Sequence, residues 1–528
     1  MFNKTHNIFL LVLLLCNISV VNAQDVKTDS IEVSAADLTL LPYHTLWFNG
    51  NNAAGIRQDL IPAFGRTTLG FTQEKGEFKL AQKPMSSSGL NFTTERFQNI
   101  GKMLFYGKFS YTQQSDKGQK FSDVLNPYRG TPYILADSIG GDWKKQLYGL
   151  TLKAVGPTML NKRLTIGLGA TLNVGTGARQ NDPRPLSTNN EITLSPSLTY
   201  KLDAHSLIGI NGLYSRYRED ISLEVKNSNI NHYLYKFLGL GQYELPTTFT
   251  TGASRIYQGN KLGGDVQYQL VGNRIQWLSS FGYRKYTEEV SDGTSVPRKS
   301  GTWKQSAYTF NSNINIKGST SFQRISLRIN RDEDSGIEFH EFYNTTLKVW
   351  QTLLEAEFYS AETDHASLSY AWIKPGKSVA FNWLVETGID YFATRKTYAV
   401  PAARQEISFF APWIKGTKVW AFSDGSDLQT GIGLKYVQNL QSQLAYIPIT
   451  GDRTFLARNV LYPDQAYLSA DYLSASLHLQ YDFKVKAAAN TRFFASGNLT
   501  GQSAVTSNIY PNAQGSRTYF SFNLGVIY

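Results

Sequence analysis

Apolar and polar residues alternate along much of the chain, and this alternation predicts long β-strands. The clearest stretch runs from Leu473 to Val485, where seven apolar side chains fall on one face and six polar side chains fall on the other. Period-two alternation is typical of a strand with one apolar and one polar face. The same pattern recurs over 164–174, 308–316 and 379–391. The sequence therefore predicts an all-β fold.

The length of these strands separates two classes of all-β protein. Strands of soluble sandwiches usually have about five or six residues, whereas the longest alternating stretches here have 11 to 13 residues. A strand that crosses a bilayer at a tilt needs about 9 to 11 residues. Aromatic residues near strand ends, such as Tyr391 and Tyr481, also suit membrane interfaces. We therefore expect a transmembrane antiparallel β-barrel of about 14–18 strands rather than a soluble all-β protein.

The connections between the predicted strands differ strongly in length. Several are tight turns, whereas others extend over 115–143, 218–262, 450–466 and 501–515. Short turns at one rim and long loops at the other are typical of outer-membrane barrels, in which the short turns are periplasmic. We therefore expect short periplasmic turns and long extracellular loops.

The first residues have the layout of a secretory signal peptide. A short basic start precedes an apolar stretch of 14 residues, which is too short to span a bilayer as a helix. Small residues end this region at Ala23, so we expect a cleaved signal peptide over 1–23. An N-terminal segment over 24–64 then either plugs the lumen or stays in the periplasm, and the barrel extends over 65–528.

Composition and charge narrow the range of partners. Aromatic residues make up 13% of the 528 residues, and charged residues only 18%. The only cysteine, Cys16, lies in the predicted signal peptide, so a disulfide-stapled fold is excluded. The net charge of +11 is not concentrated in a long basic block. We therefore expect outer-membrane lipid and lipopolysaccharide as partners rather than nucleic acid.

The last strand keeps its alternation to the final residue, which is aromatic. Its apolar face resembles the C-terminal assembly signal of outer-membrane proteins, which the barrel-insertion machinery reads. The matching positions are Phe520, Phe522, Leu524, Val526 and Tyr528. Taken whole, the chain resembles uncharacterised outer-membrane β-barrel proteins of Bacteroidota-type bacteria. This resemblance implies a location in the outer membrane of a Gram-negative bacterium.

A short stretch near the N-terminus is similar to one in the long-chain fatty-acid transporter family. Asn52, Ala53, Ala54 and Gly55 resemble the Asn-Pro-Ala-Gly stretch of that family, with Ala53 in place of the proline. The resemblance implies an N-terminal segment that plugs the barrel and gates the passage of hydrophobic molecules. An ordinary turn before the first strand is the alternative interpretation.

Polar residues on the inner faces of the predicted strands are candidates for lining the lumen. They either line a solute path or close the lumen through ion pairs. These candidates are Arg324, Arg328, Glu386, Asp390, His478, Asp482 and Lys484.

The sequence contains no arrangement that indicates catalysis. His478 and Asp482 lie on one face of a strand but about 13 Å apart, which is too far for a direct hydrogen bond. The segment 364–367 carries an acid, a histidine and a serine, and we expect it in a surface loop. The segment 338–340 offers one glutamate and one histidine, which are too few ligands for a metal site. We expect no cofactor, no metal and no enzymatic activity.

These observations favour a channel or passive transporter for a small solute. One alternative is an interaction barrel whose long loops, especially 218–262, hold a surface lipoprotein or another barrel. The second alternative is a barrel hydrolase that cleaves lipids or peptides. A TonB-dependent receptor is disfavoured, because the segment 24–64 is too short to form the large plug domain of such receptors.

Overall fold

The computed structural model describes residues 33–249, 252–293, 295–448, 454–485 and 491–528. The predicted signal peptide over 1–23 lies outside the described residues.

Within the described residues, twenty-two strands form, and eighteen of them make one antiparallel barrel. The strands are β1 (Phe64–Gly76), β2 (Ser86–Ile100), β3 (Met103–Gln119), β4 (Leu135–Asp137), β5 (Gly141–Val155), β6 (Leu164–Arg179), β7 (Arg184–Lys201), β8 (Ser206–Glu224), β9 (His232–Gly239), β10 (Gln242–Tyr243), β11 (Thr247–Phe249), β12 (Gly252–Val271), β13 (Ile275–Asp292), β14 (Arg298–Lys317), β15 (Phe322–Asn344), β16 (Val349–Pro375), β17 (Phe381–Tyr398), β18 (Ala403–Ala421), β19 (Asp427–Ala445), β20 (Tyr472–Lys484), β21 (Arg492–Ala504) and β22 (Ser516–Ile527). The barrel uses all of them except β4, β9, β10 and β11.

The barrel is closed by its first and last strands. β1 pairs with β22 from Arg66↔Ile527 to Gly76↔Arg517, and every other barrel strand pairs with its neighbours along the chain. Closure leaves no strand edge with unpaired backbone groups, which a lipid environment requires.

The outer face of the barrel is apolar and the inner face is polar. On β22, Phe520, Phe522 and Leu524 point outward and are 41–52% exposed, whereas Asn523 points inward and donates to Ser496 on β21. Exposed apolar side chains continue around the other strands. Such an extended apolar surface fits lipid rather than water. The predicted transmembrane β-barrel is confirmed, with a strand count at the upper end of the expected range.

The two rims differ in the length of their connections. The rim that holds Phe64 and Tyr528 has short turns, such as 101–102 and 202–205. The opposite rim has the long connections 120–140, 225–251 and 446–471. The predicted asymmetry is confirmed, but the loop predicted over 218–262 is shorter. β8 and β12 extend into it from both sides, because barrel strands here continue beyond the apolar band.

The long connections fold together as a cap, defined here as residues 120–140, 225–249 and 454–468. β4 pairs with β9, and β9 pairs with β10 and β11. A π-helical turn (Ala457–Leu461) leads into the short helix α2 (Tyr462–Leu468). Apolar residues of these segments pack against inward aromatic residues of the barrel wall. The cap therefore covers one end of the lumen.

The N-terminal segment contains a helix and a tight turn. Helix α1 (Ala35–His44) begins with a capping box, in which Ser34 and Asp37 accept each other's backbone N–H groups. A 3₁₀ turn (Ala54–Gln58) follows before β1 begins. No helix in the described part of the chain is long and apolar enough to cross a membrane. Both elements are placed by contacts with the barrel wall.

Candidate functional site

Residues 33–63, called the plug here, lie inside the barrel. At one end the backbone N–H of Ala35 donates to Asp482 on β20, at 2.8 Å. Further along, the side-chain amide of Asn52 donates to Gln267 on β12, at 2.9 Å. β12 and β20 lie on nearly opposite sides of the barrel. The segment therefore crosses the lumen.

Arg324 on β15 binds the end of helix α1. Its Nη1 donates to the carbonyl oxygens of Pro42, Tyr43 and Thr45 at 2.6, 3.1 and 2.9 Å, and its Nη2 donates to Asn313 at 2.9 Å. The last carbonyl groups of a helix have no partners within the helix, and a positive charge is favourable there. The guanidinium supplies both the donors and the charge, so it clamps the plug to the wall.

Asp59 fixes the turn that follows helix α1. Its Oδ1 accepts the backbone N–H of Leu46 at 3.0 Å, and its Oδ2 accepts those of Trp47 and Phe48 at 2.9 and 2.8 Å. Burial raises the pKa of Asp59 to about 6, although these hydrogen bonds act to lower it. A Cβ on Gly55 would lie 2.0 Å from the Trp47 ring, so only glycine allows this close contact.

The stretch 52–55, which resembles the fatty-acid transporter motif, is bound to the wall. The side-chain amide of Asn52 donates to the carbonyl oxygens of Leu198 and Ile210 at 3.1 and 3.3 Å, and its oxygen accepts the N–H of Gly55 at 3.1 Å. Asn52 is only 1% exposed. The stretch is thus a tight turn, and it also anchors the plug to strands β7 and β8.

The plug forms the floor of a cavity of about 660 Å³, called the central chamber here. The wall strands β12 to β17 form its sides, and its volume is in the range of small-molecule sites. Its charged and amide lining includes Asp265, Arg284, Asn311, Arg324, Arg328 and Glu386. Three of the residues predicted to line the lumen, Arg324, Arg328 and Glu386, therefore meet at one chamber.

The charges of the chamber differ in how fully they are paired. Arg284 lies 2.7 Å from Asp265, and Glu386 accepts the hydroxyl hydrogen of Tyr43 at 2.5 Å. The Nε of Arg328 donates only to Asn311, at 3.2 Å. Among the carboxylates that the structure describes, none lies within 4.0 Å of the Arg328 guanidinium. This group therefore faces the chamber with unused donors.

Asp390 and His478 lie on the inner wall, outside the chamber. Asp390 accepts from Ser367 and from Lys435, both at 2.8 Å. The Nδ1 of His478 lies 2.6 Å from the side-chain oxygen of Asn498. Both groups are therefore engaged with neighbouring strands.

Asp482 and Lys484 lie at the end of β20, near the rim with short turns. Asp482 is fully buried, and in addition to Ala35 it contacts Arg492 at 2.9 Å. Lys484 is exposed. Asp482 therefore acts with the plug, while Lys484 lies at the edge of the barrel.

The structure corrects one prediction about possible catalytic residues. Residues 364–367 lie within β16 and not in a surface loop, because β16 continues without interruption well beyond the apolar band. Successive side chains of a strand point to opposite faces, which separates Asp364 from His365. Asp364 lies 3.6 Å from Arg331 on the outer face, whereas Ser367 binds Asp390 on the inner face. They form no dyad.

The segment 338–340 does not form a metal site either. Glu338 accepts the hydroxyl hydrogen of Tyr398 at 2.7 Å. Over the described ranges, no group of three or more histidine, cysteine, aspartate or glutamate side chains could hold a metal ion.

Comparison with protein families identifies the family but not the activity. A family model described as a family of unknown function, DUF6850, matches residues 53–528. The chain belongs to this family. The match begins inside the plug and covers the whole barrel. No curated protein matches this member of DUF6850.

Several solved barrels resemble this DUF6850 member at low similarity. A FadL homologue of Pseudomonas aeruginosa is 12% identical, with a TM-score of 0.31 over 91% of this chain and 93% of that one. The ferric-catecholate import receptor Fiu of E. coli is 7% identical, with a TM-score of 0.40 over 88% and 82%. The FrpB iron transporter of Neisseria meningitidis is 10% identical, with a TM-score of 0.38 over 90% and 82%. At these values the similarities identify no ligand for this chain.

Proposed function

We propose that this protein is an outer-membrane β-barrel through which a small polar solute passes, as a channel or passive transporter gated by its plug. The observation that carries the proposal is the central chamber of about 660 Å³, which lies directly against the plug. The apolar outer face supports a position in a bilayer, and the predicted signal peptide supports export to the outer membrane of a Gram-negative bacterium. Lipopolysaccharide and the barrel-insertion machinery are the partners that this location implies.

The chemistry of the chamber favours a polar solute over a hydrophobic one. Its lining consists largely of asparagine, serine, arginine and carboxylate side chains. An apolar molecule in this space would leave these groups without hydrogen-bond partners, which is unfavourable. The hydrophobic cargo implied by the fatty-acid transporter likeness therefore does not fit this chamber.

The two faces of the plug suggest how it would act as a gate. Near the rim with short turns, Ala36 and Leu40 pack among apolar wall residues such as Phe381. Toward the chamber, the plug is held by the hydrogen bonds from Arg324 to the carbonyl oxygens at 42–45. Water or a polar solute can replace hydrogen bonds of this kind. We infer that the contacts on the chamber side of the plug break before those on the opposite side.

Single-channel conductance in a planar bilayer tests this proposal. The matched variant keeps the signal peptide and the barrel but lacks residues 33–58. We expect small or no conductance steps for the wild type and larger steps for the deletion variant. Equal steps would contradict the role of the plug. A deletion variant that folds, judged by heat-modifiable mobility, and still does not conduct would contradict passage through the barrel.

A second candidate function is an interaction barrel that holds a surface lipoprotein. The hairpin of β15 and β16 extends beyond its neighbours, because β16 pairs with β17 only from Tyr359 onward. Near its tip, Phe342, Leu347 and Leu353 are 56%, 61% and 74% exposed, and such apolar groups favour a protein contact. Photo-crosslinking from position 347 in intact cells tests this candidate, with position 202 at the opposite rim as the control.

We also infer that the barrel is not an enzyme. In the described part of the chain, the hydrogen bond of the His478 ring is to the amide of Asn498, and His365 and Asp364 lie on opposite faces of β16. Phospholipase and protease assays on the wild type and on His478→Ala test this inference. Activity that the substitution abolishes would contradict it.

A further inference from the structure

Arg129, in the cap segment 120–140, enters a site on the inner barrel wall. Its guanidinium makes a bidentate contact with Glu288, at 2.6 and 2.7 Å. Its Nε lies 3.8 Å from the carboxylate of Glu219. The side chain of Arg129 is 13% exposed, and both carboxylates are fully buried. The positive charge of Arg129 is thus enclosed between two carboxylates of the barrel wall.

Aromatic rings complete the enclosure. The guanidinium carbon of Arg129 lies 4.9 Å from the ring centroid of Tyr217, 4.7 Å from that of Tyr257 and 6.0 Å from that of Trp303. A cation within about 6 Å of an aromatic ring is attracted to it, the more so when water is excluded. We call this site the cage, and it consists of Tyr217, Glu219, Tyr257, Glu288 and Trp303.

The acids of the cage have hydrogen-bond partners other than Arg129. The hydroxyl of Tyr217 donates to Glu219 at 2.7 Å, and so does that of Ser187 at 2.6 Å. The hydroxyl of Tyr286 donates to Glu288 at 2.7 Å. All of these residues belong to barrel strands. The cap segment adds two contacts, because the backbone N–H of Leu125 donates to Glu219 at 3.0 Å and the hydroxyl of Tyr257 donates to the carbonyl oxygen of Tyr133 at 2.7 Å. The cage is therefore complete only while the cap is closed.

Removal of Arg129 from the cage would leave two buried carboxylates without a cation. Burial acts to lower the pKa of Arg129, and the charge of Glu288 more than offsets this, so the pKa stays above its usual value. A buried charge that loses its partner is strongly destabilising. The cage is thus built for a positive group with planar, bidentate donors, which is the chemistry of a guanidinium.

We propose that the cage is a binding site for the guanidinium group of an incoming molecule, and that Arg129 occupies it as a tethered ligand while the cap is closed. The cage lies on the lumen side of the wall, where a solute that displaced Arg129 would replace the tether of the cap segment by a ligand that can dissociate. This last step rests on the proposed passage of solute, whereas binding in the cage does not.

The test uses Arg129→Ala and methylguanidinium as the probe. The readout is the rate at which trypsin cleaves the purified, folded barrel after Lys120, an exposed residue of the same cap segment. We expect Arg129→Ala to be cleaved at least tenfold faster than the wild type. Methylguanidinium at ten times its Kd should slow this cleavage about tenfold, because it stabilises the closed cap by mass action. The wild type should not be slowed, since Arg129 already fills the cage.

Arg298 provides a matched control outside the cage. Its Nη1 and Nη2 each donate to the carboxylate of Glu244 at 3.1 Å, which is also a bidentate contact. Its guanidinium carbon lies 5.8 Å from the ring centroid of Trp350. Methylguanidinium should not slow the cleavage of Arg298→Ala, nor that of Arg129→Ala combined with Glu288→Gln. Sodium chloride at equal concentration controls for ionic strength.

Three results would overturn the proposal: no slowing in Arg129→Ala, equal slowing in the double variant, or equal slowing in Arg298→Ala. If Arg129→Ala does not give a heat-modifiable barrel, Arg129→Gln is tested in the same way, because glutamine can still donate to Glu288. Conductance is measured separately. Loss of methylguanidinium binding would not change the conductance of the plug variants. Either proposal can therefore fail while the other stands.

Discussion

The carboxylate of Asp59 holds the backbone of Trp47 in the lumen, with 2.9 Å between the Trp47 nitrogen and Oδ2. Trp47 is only 2% exposed, and its indole N–H donates to Gln269 on β12 at 2.9 Å. An acidic group in the plug therefore fixes the residue that connects the plug to the wall. This relationship makes docking of the plug dependent on the protonation of Asp59.

The first prediction concerns pH. Burial raises the pKa of Asp59 from its usual value of 3.8 to about 6, so the docked plug binds a proton more readily than the undocked plug. Docking therefore loses stability as the pH rises from about 4 to about 6 and changes little above that range. In planar bilayers, we expect the open probability of the barrel to rise over the same range.

Asp59→Asn is the control for this pH dependence. The neutral amide cannot titrate, and like a protonated carboxyl group it has one acceptor oxygen and one donating group. Since the docked plug favours the protonated form of Asp59, we expect the open probability of Asp59→Asn to stay near the low-pH level of the wild type and not to change between pH 4 and 6. The same pH step in Asp59→Asn would assign the effect to another group.

The second prediction compares two arginines of the central chamber. Arg324→Ala removes three contacts to plug carbonyl oxygens and should weaken docking by about 3 kcal/mol, since a hydrogen bond from a charged donor contributes about 1.5–3 kcal/mol. The undocked population should then rise roughly a hundredfold. Arg328 lines the same chamber, but it makes no hydrogen bond or ion pair with the described residues of the plug, so the open probability of Arg328→Ala should stay at the wild-type level. Equal opening in both variants would contradict the clamp.

The barrel itself was predictable from the sequence. Successive side chains of a strand point to opposite faces, so apolar and polar residues alternate along a strand that has lipid on one side and the lumen on the other. The strand lengths were less predictable. Beyond the apolar band, outward positions such as Arg331 and Asp364 pair with each other, and alternation of apolar and polar residues stops although the strand continues. The prediction of a loop at 364–367 was wrong for this reason.

The candidate site was only partly predictable. The inward position of Arg324 followed from the alternation of β15, but its partners at 42–45 lie far away in the sequence and meet it only in the folded barrel. Asp59 and Arg129 carry no local pattern that distinguishes them from other charged residues of loops. Their roles depend on which strands surround them, and these strands come together only when the barrel closes.

The third prediction concerns orientation and uses cysteine labelling. Leu347 lies at the tip of the β15–β16 hairpin, and Lys102 lies in a short turn at the opposite rim; both are exposed. The only natural cysteine, Cys16, belongs to the predicted signal peptide. On intact cells, an impermeant thiol reagent should label Leu347→Cys and leave Lys102→Cys unlabelled. The opposite result would reverse the expected orientation.

The last prediction concerns Tyr528, which closes the seam of the barrel. Its backbone N–H donates to the carbonyl oxygen of Gly65 at 3.0 Å, and its own carbonyl oxygen accepts the N–H of Gly65 at 2.6 Å. A Cβ on Gly65 would lie 2.3 Å from the Tyr528 ring, so the ring covers the backbone of β1. Deleting Tyr528 should cost about 1–3 kcal/mol through the two lost hydrogen bonds.

If Tyr528 is also the final residue of the assembly signal, its deletion should reduce insertion far more than this energy explains. We expect protease-sensitive material in the periplasm and little heat-modifiable barrel in outer-membrane fractions. Leu477→Ala is the matched control, because it trims a 42% exposed, outward side chain at a cost of about 1–2 kcal/mol without touching the seam. Tyr528→Phe keeps the ring and the backbone, so it should insert normally. Equal insertion of the deletion variant and Leu477→Ala would mean that Tyr528 contributes to the seam alone.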